Sequence, residues 1–276
     1  MSIDIEREVI KDFGNEWERF KQDELTKEQL DYQFNWYFNI IDWEKIPKDA
    51  KCFDMGCGSG RWAKKVAKKV GELTCIDASD KALESAKYNL KDLDNCKFYK
   101  ASFENIPLED NSMDFGYSLG VLHHIKHTEK GIKECVNKLK TGAPFLIYLY
   151  YSLDNKPFWY KLIWKFSNIF RYIISNSPFK LKTFLSDIIA TFLYYPLAKF
   201  SLFLEGLGIN VKNFPLSAYR RTSFYSMRTD SLDRFGTKLE KRFSRGEITK
   251  MLLDANLEDI VFSDSHPYWC AVGYKR

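Results

Sequence analysis

The clearest chemistry in this 276-residue chain lies between positions 54 and 77. A short apolar run ends at Asp54, and Gly56, Gly58 and Gly60 follow at alternate positions. A second apolar run ends at Asp77. A strand, a glycine turn and a helix form the usual cradle for a nucleotide-like ligand, because glycine adopts conformations closed to other residues and lets a ligand approach bare backbone.

The glycine spacing separates two ligand classes. A dinucleotide-binding loop reads G-x-G-x-x-G, and its third glycine would fall where Arg61 stands. This loop reads G-x-G-x-G instead, with Asp54 two residues before it. A carboxylate there suits a cationic ligand group and would repel a pyrophosphate. The spacing therefore disfavours a nicotinamide oxidoreductase, which stays open as an alternative.

Asp77 ends the second predicted strand, 17 residues beyond Gly60. A strand-end acid about 20 residues after the glycine loop binds ribose hydroxyls in dinucleotide-binding folds. Ser79 is placed to cap a helix that begins near Lys81. The alternative is that Asp77 is itself only a helix cap; its position at the end of the next strand favours the ribose role.

Strand, acid, glycine loop and helix together resemble the first motif of class I S-adenosylmethionine-dependent methyltransferases. Residues 118–124, Ser-Leu-Gly-Val-Leu-His-His, resemble the small-molecule "type 11", ubiquinone-biosynthesis-like group. The resemblance implies S-adenosylmethionine as cofactor and S-adenosylhomocysteine as product. In the family's adenine-side motif an acid usually stands where this chain has Ser102. The cofactor contacts implied are Asp54, Gly56, Cys57, Gly58, Gly60, Asp77, Ala78, Ser102, Phe103 and Leu119.

The elements that must position these residues alternate between strand and helix, which predicts an α/β fold with a doubly wound, mostly parallel sheet. The family implies seven strands, the last one antiparallel and inserted beside the fifth. Residues 1–50 are predicted as an N-terminal helical cap, 51–152 and 244–276 as the core, and 153–243 as a helical insertion after the fifth strand. Gly14 predicts a break between two helices of the cap. Phe13 and Trp17 are either substrate-side residues or cap packing.

The insertion is basic and aromatic. Residues 155–225 hold ten Lys and Arg against two Asp and Glu, and 18 aromatic residues. The longest uncharged run, 188–198, is shorter than the roughly 20 residues of a spanning helix, so a transmembrane segment is not expected. Three interpretations remain: a lid over an acceptor pocket, a weakly membrane-docking surface carrying Lys161 and Lys165, and an oligomer interface.

Adjacent histidines at 123 and 124 raise the question of a metal or a base. His123 and His127 have i,i+4 spacing, but no H-E-x-x-H surrounds them, so no metal is expected. The six cysteines show no C-x-x-C pair, which together with the acidic N-terminus indicates a reducing cytoplasm, with peripheral membrane contact an option. Nucleic acid is not an expected partner, because Ser118-Leu119-Gly120-Val121 replaces the Asn/Asp-Pro-Pro-aromatic tetrad of base-amino methyltransferases.

The expected reaction is direct displacement of the sulfonium methyl by an oxygen, nitrogen or carbon nucleophile of a small-molecule or lipid-linked acceptor. Such a reaction needs alignment and exclusion of water, and an acceptor hydroxyl also benefits from a base. A non-catalytic binding or membrane-docking module is a further alternative. The catalytic candidates are His123, Tyr150, Tyr219, Arg220 and Tyr225.

Overall fold

The computed structural model describes residues 2–276, with side chains from residue 6 onward; Met1, in the predicted cap, lies outside the described residues. The strands are β1 (Lys51–Met55), β2 (Glu72–Asp77), β3 (Cys96–Lys100), β4 (Phe115–Leu119), β5 (Pro144–Tyr148), β6 (Leu257–Phe262) and β7 (Cys270–Lys275). The helices are α1 (Ser2–Arg19), α2 (Lys27–Phe38), α3 (Ala63–Val66), α4 (Asp80–Asn89), α5 (Thr128–Lys138), α6 (Phe158–Ser175), α7 (Phe179–Ile189), α8 (Tyr195–Gly206), α9 (Phe224–Gly236) and α10 (Arg245–Asp254). Short 3-10 turns lie at Trp43–Lys45, Phe103–Asn105, Leu122–His124 and Ser217–Arg221.

The seven strands form one sheet in the order β3-β2-β1-β4-β5-β7-β6. Strands β1 to β5 are parallel, and β7 runs antiparallel between β5 and β6. This confirms the predicted fold, including the position of the last strand. The helix that precedes β6 begins with a capping box of Ser244 and Glu247, which satisfies two orphan backbone donors.

The chain divides into two structural units. Among the described residues, the first comprises 2–23, 30–152 and 239–276, and it contains the sheet. Its central strands are buried on both faces, so alternate residues enter opposite apolar clusters: Phe145 belongs to the cluster of Phe53 and Ile132, whereas Leu146 belongs to that of Leu73 and Phe115. The strand order places the carboxyl ends of the parallel neighbours β2, β1 and β4 side by side.

Helix α1 is continuous through Gly14, so the predicted break there is wrong. A Cβ built at Gly14 would lie 2.3 Å from the Ser79 hydroxyl oxygen. The glycine therefore lets α1 approach the start of α4 closely, and its lack of a side chain serves packing instead of a turn. Lys81 Nζ adds hydrogen bonds to Asn15 and Glu18 of α1.

The second unit comprises residues 24–29 and 153–238. Its small apolar cluster contains Ile174, Tyr194, Ala198, Met227 and Phe235. The chain returns to the first unit at Leu239, and Phe243 pairs with Tyr151 there. The predicted insertion extended to 243, so its last five residues lie in the first unit.

Pro196 does not break the second unit's long helix. Helix α7 continues through a π-helical turn, Ala190–Tyr194, into α8. A π-turn just before a proline relieves the clash that its ring would otherwise make with the preceding turn. The continuous helix Phe179–Gly206, of 28 residues, is long and apolar enough by length and composition to cross a membrane. The longest uncharged run in the sequence, 188–198, covers only part of this helix and therefore did not predict it.

Candidate functional site

The loop after β1 takes the conformation that its glycines allow. Gly56, Gly58 and Gly60 have φ values of +79°, +54° and +75°. The Gly56 and Cys57 amides donate to the Ile76 carbonyl at 2.8 and 3.0 Å, which ties the loop to β2. A Cβ at Gly56 would lie 2.5 Å from the Val121 side chain. The loop is therefore a tight backbone turn with room for a ligand but not for side chains.

Asp77 fixes this loop from the end of β2. Its carboxylate accepts hydrogen bonds from the Gly58 amide and from the Ser79 amide, each at 2.9 Å. Burial raises the pKa of Asp77 above its ordinary value. Each carboxylate oxygen has a second lone pair, so the group can still accept two ligand hydroxyls. Ser79 caps α4, and Asp77 is therefore not the cap itself.

A cavity of about 300 Å³ opens beside the loop, within the size range of small-ligand pockets. All of its lining residues belong to the first unit. Eight of the ten predicted cofactor residues line it. They are Gly56, Cys57, Gly58, Asp77, Ala78, Ser102, Phe103 and Leu119.

The other two, Asp54 and Gly60, do not line the cavity. Gly60 lies against the helix behind the loop, where a Cβ would meet Leu90 at 3.0 Å. Asp54 is only 2% exposed and pairs in register with Tyr117 of β4. Burial raises the pKa of Asp54 to about 8. At neutral pH this carboxyl is therefore largely protonated, unlike the surface carboxylate that a cationic ligand group would require.

The adenine-side segment contains the 3-10 turn Phe103–Asn105. Ser102 caps that turn, its hydroxyl accepting from the Glu104 amide at 3.3 Å. Glu104 also lines the cavity, so a carboxylate stands two residues after the position where the family motif has its acid. Sequence reasoning did not select Glu104.

Helix α1 forms one wall of the cavity with Glu6, Val9, Ile10, Phe13 and Trp17, and Arg7 joins them. The Trp17 indole lies 3.0 Å from the position of a Gly58 Cβ, so it covers the loop. Phe13 and Trp17 were predicted as substrate or cap residues, and both line the site. The five wall residues are spaced as one face of a helix. This periodicity is present in the sequence, although only Phe13 and Trp17 were predicted as site residues.

The two adjacent histidines have different environments. His123 is fully buried, does not line the cavity, and stacks on Tyr150 with ring centroids 3.8 Å apart. Burial holds the pKa of His123 well below its ordinary range. His124 lines the cavity, with its ring centroid 4.9 Å from that of Phe13. His123 and Tyr150 therefore do not line the cavity, whereas His124 does.

Backbone contact sets the His124 tautomer. Its Nδ1 lies 2.7 Å from the Leu239 carbonyl oxygen, which can only accept. Nδ1 must therefore carry a proton, and in the neutral ring Nε2 carries the lone pair. Among the described residues, no group of three His, Cys, Asp or Glu is arranged to hold a metal ion.

The remaining catalytic candidates lie in the second unit. Tyr219 packs against Tyr194, with ring centroids 5.2 Å apart. Arg220 donates to Glu205 at 2.8 Å, and Tyr225 is buried in α9. The structure therefore does not bring these three residues into the cavity.

The sheet order and the glycine loop after β1 define a class I, Rossmann-like fold. Residues 53–147, about a third of the chain, match the family model described as "Methyltransferase domain", Methyltransf_11. The match confirms the resemblance seen in the motifs to the type 11 group of class I S-adenosylmethionine-dependent methyltransferases.

Curated relatives carry the names of small-molecule methyltransferases. A sterol 4-C-methyltransferase of Caenorhabditis elegans is 27% identical over 126 residues, 43% of this chain and 38% of that protein. A demethylmenaquinone methyltransferase of Staphylococcus saprophyticus is 28% identical over 138 residues, 48% of this chain and 58% of that protein. The chain thus spans about half the length of the curated relatives it matches.

The fold recurs in a solved complex of the Haloferax volcanii Trm112 methyltransferase activator and a methyltransferase. The match has a TM-score of 0.52 at 15% identity, and it covers 94% of this chain and 96% of that chain. At this identity the likeness concerns the fold alone.

S-adenosylmethionine is the cofactor of this group, and the cavity fits it. The Gly56 and Gly58 backbone and the Asp77 carboxylate line the cavity together, which suits a ligand with an amino-acid portion and ribose hydroxyls. Phe103 and Leu119 supply apolar surface for a base.

Proposed function

We propose that the protein is a methyltransferase that transfers the cofactor's methyl group to a small-molecule acceptor. The observation that carries this proposal is the Asp77 carboxylate, which is fixed by the Gly58 and Ser79 amides and lines a cavity of nucleoside size. Two preset hydrogen bonds hold the acid in place before any ligand binds, which lowers the ordering cost of binding.

Each part of the cavity has a role in holding the cofactor. Asp77 is assigned the ribose hydroxyls, and the backbone at Gly56 and Gly58 lies beside the amino-acid portion. Ser102 and Phe103 are assigned the base. The bound cofactor supplies an activated sulfonium methyl group. The protein aligns the acceptor with that methyl and excludes water, for which Trp17 and Phe13 of α1 are positioned.

The acceptor is proposed to be an apolar small molecule. Val9, Ile10 and Phe13 of α1 lie on the same cavity as Val121 and Ile125 of the loop after β4. The named acceptors of the two relatives, a sterol and a demethylmenaquinone, are apolar ring compounds. An apolar wall beside the cofactor loop suits such a ring.

His124 is proposed to accept the acceptor's proton. Its side chain lines the cavity, its Nδ1–H is held by the Leu239 carbonyl, and Nε2, which carries the lone pair in the neutral ring, is buried away from bulk water. A fixed tautomer is what a general base needs, and such groups contribute roughly 10²- to 10⁴-fold to rate.

Calorimetry with S-adenosylmethionine, S-adenosylhomocysteine and NAD tests the cofactor assignment. We expect binding of the first two and none of NAD. Asp77→Asn should weaken S-adenosylmethionine by about 10- to 100-fold, the scale of 1.5–3 kcal/mol for hydrogen bonds to a charged group. Asp80→Asn is the matched control, because Asp80 lies three residues away on exposed surface and pairs with Lys100. Equal affinities for the two variants would contradict the ribose role.

Transfer of a labelled methyl group into a lipid extract or a water-soluble metabolite pool tests the activity and the acceptor class. Label should enter the lipid extract only. With the acceptor identified, His124→Asn should lower kcat by about 100-fold or more while the cofactor Kd stays unchanged, since Asn keeps a donor to Leu239 but has no base. An unchanged kcat and pH profile would exclude His124 as the base.

A further inference from the structure

Helix α6 turns most of its large apolar side chains toward solvent and polar side chains toward the rest of the second unit. Its inner face contains the half-buried Ser167, Asn168 and Arg171 beside the buried Ile174. The polar residues bond within the second unit: Arg234 donates to Asn168 at 2.7 Å, and Arg171 donates to the Thr237 carbonyl at 2.8 Å. Its outer face is exposed and almost entirely apolar. The exposed large apolar residues of α6 are Phe158, Trp159, Leu162, Ile163, Phe166, Ile169, Phe170, Tyr172 and Ile173.

The long helix Phe179–Gly206 repeats this arrangement. Most of its buried positions hold small or polar residues, including Thr183, Ser186, Ala190, Ala198 and Ser201, and Tyr194 is the one large aromatic residue buried among them. Ser231 of α9 donates to the Ser186 carbonyl at 2.9 Å across this contact. The exposed large apolar residues of the long helix are Leu181, Phe184, Ile188, Phe192, Leu193, Tyr195, Phe200 and Phe203.

The second unit thus holds twenty of the twenty-five exposed large apolar residues among the described side chains, all twenty in residues 153–238. A helix on the surface of a water-soluble protein turns its apolar face inward. Small residues at helix contacts with large apolar residues outward are the arrangement of helices that face lipid. Exposed apolar surface on this scale marks an interaction site.

The net charge of the second unit indicates which kind of partner would bind these exposed apolar faces. Residues 153–238 carry thirteen Lys and Arg against five Asp and Glu, a net charge of +8. The acids of the long helix are neutralised internally, Glu205 by Arg220 and Arg221 and Asp187 by Arg228.

Lysines remain on the exposed faces. Lys165, Lys180 and Lys199 are exposed, and none of the three forms an ion pair with the side chains described from residue 6 onward. A second copy packed symmetrically on these faces would bring lysines against lysines, which costs free energy. An anionic surface with an apolar interior complements both the lysines and the aromatic residues between them.

We propose that the exposed faces of α6 and of helix Phe179–Gly206 dock into the headgroup–acyl boundary of an anionic lipid bilayer. Aromatic and aliphatic side chains such as Phe166 and Phe192 enter the acyl region, and Lys165, Lys180 and Lys199 extend to the lipid phosphates. This proposal does not depend on the methyltransferase reaction, because it concerns residues outside the cofactor cavity.

Flotation of the full chain with vesicles tests the proposal. Vesicles of phosphatidylglycerol with phosphatidylcholine should bind the protein at low salt, and high salt should weaken the binding without abolishing it, because the apolar term persists. Lys165→Glu/Lys180→Glu should reduce the bound fraction at least about tenfold, since each cation near an anionic surface contributes several-fold. Lys48→Glu/Lys68→Glu changes the charge equally at exposed sites in the first unit and should leave binding unchanged.

Variants of the exposed aromatic residues test the apolar contribution to vesicle binding separately from the charge contribution. Phe166→Ser/Phe192→Ser should lose the salt-resistant part of the binding, whereas Tyr88→Ser/Tyr99→Ser in the first unit should retain it. Circular dichroism and cofactor calorimetry establish that each variant is folded. Equal losses in the two aromatic pairs, or no binding to anionic vesicles at low salt, would overturn the proposal. A stable lipid-free dimer that Phe166→Ser/Phe192→Ser dissociates would overturn it in favour of a second copy.

Discussion

The two units of this chain obey opposite rules of side-chain placement. In the first, the strands bury Phe53, Phe115 and Phe145 completely. In the second, phenylalanines such as Phe166 and Phe192 are 63% and 76% exposed, and the buried face of the long helix carries Ser186 and Ala190. The same residue type thus stabilises one unit from within and forms the outer surface of the other.

This contrast shows that aromatic content alone does not indicate a core. The first unit uses burial to order a sheet whose strand ends build a cofactor cavity. The second unit combines a small apolar cluster with hydrogen bonds and half-buried ion pairs, such as Arg228 with Asp187 at 2.9 Å, and presents most of its large apolar side chains outside. Substitutions matched between the units test the contrast directly.

The largest difference is expected for phenylalanine truncation. Phe145→Ala should lower the free energy of unfolding by about 3–5 kcal/mol, because a fully buried ring leaves a cavity. Phe170→Ala, at a ring 50% exposed on α6, should cost less than about 1 kcal/mol. Urea unfolding followed by circular dichroism measures both. Equal losses would mean that the exposed faces are covered in solution.

A second contrast concerns buried acids. Asp54 has a folded-state pKa of about 8 against an ordinary value of 3.8, so the unfolded chain releases this proton first as pH rises. The carboxyl therefore destabilises the folded state increasingly from pH 4 to pH 8, and the loss is constant above pH 8. Asp54→Asn should stabilise the folded protein by several kcal/mol at pH 8 and by little at pH 4, since each pKa unit corresponds to about 1.4 kcal/mol.

Its counterpart in the second unit is Asp187→Asn, which removes a partner of Arg228 and should destabilise the protein. Denaturant midpoints at pH 4, 6 and 8 provide the comparison. An Asp54→Asn effect that does not change with pH would show that this carboxyl is ionised in the folded protein.

The small buried residues of the second unit should resist enlargement. Ala190→Leu adds volume at a fully buried position and should cost about 1–3 kcal/mol by overpacking. Thr191→Leu, at the exposed neighbouring position, should be nearly neutral. Thermal unfolding of both variants checks this, and similar melting temperatures would argue against a tight internal contact at Ala190.

The smallest effect is expected at the glycine loop. Gly58→Ala should weaken S-adenosylmethionine by roughly tenfold, through backbone strain at a φ of +54° and contact with Trp17. Gly142→Ala is the control, since its φ is +78° but open space surrounds it. Both variants should be less stable than the parent protein. Calorimetry should show weaker S-adenosylmethionine binding for Gly58→Ala only.

Local patterns in the sequence were sufficient for the parallel strands and for most of the cavity, whereas the antiparallel last strand was predicted from the family resemblance. Asp77 and the loop glycines follow from strand ends and turn chemistry, which depend on neighbouring residues. The histidine assignment did not follow, because His123 and His124 differ only in their tertiary neighbours. A glycine such as Gly14 is compatible either with a helix break or with a close contact between helices. The contact is the one observed, and it depends on Ser79, which lies 65 positions away in the sequence.

The sequence by itself determined the order of strands and helices, the cofactor loop and the basic charge of residues 153–238, since periodicity, glycine spacing and charge are properties of the chain. Only the tertiary structure decided which face of each helix is buried. That choice depends on what the rest of the fold offers as a partner: α9 offers Arg234 and Ser231, so polar faces turn inward and the phenylalanines remain outside.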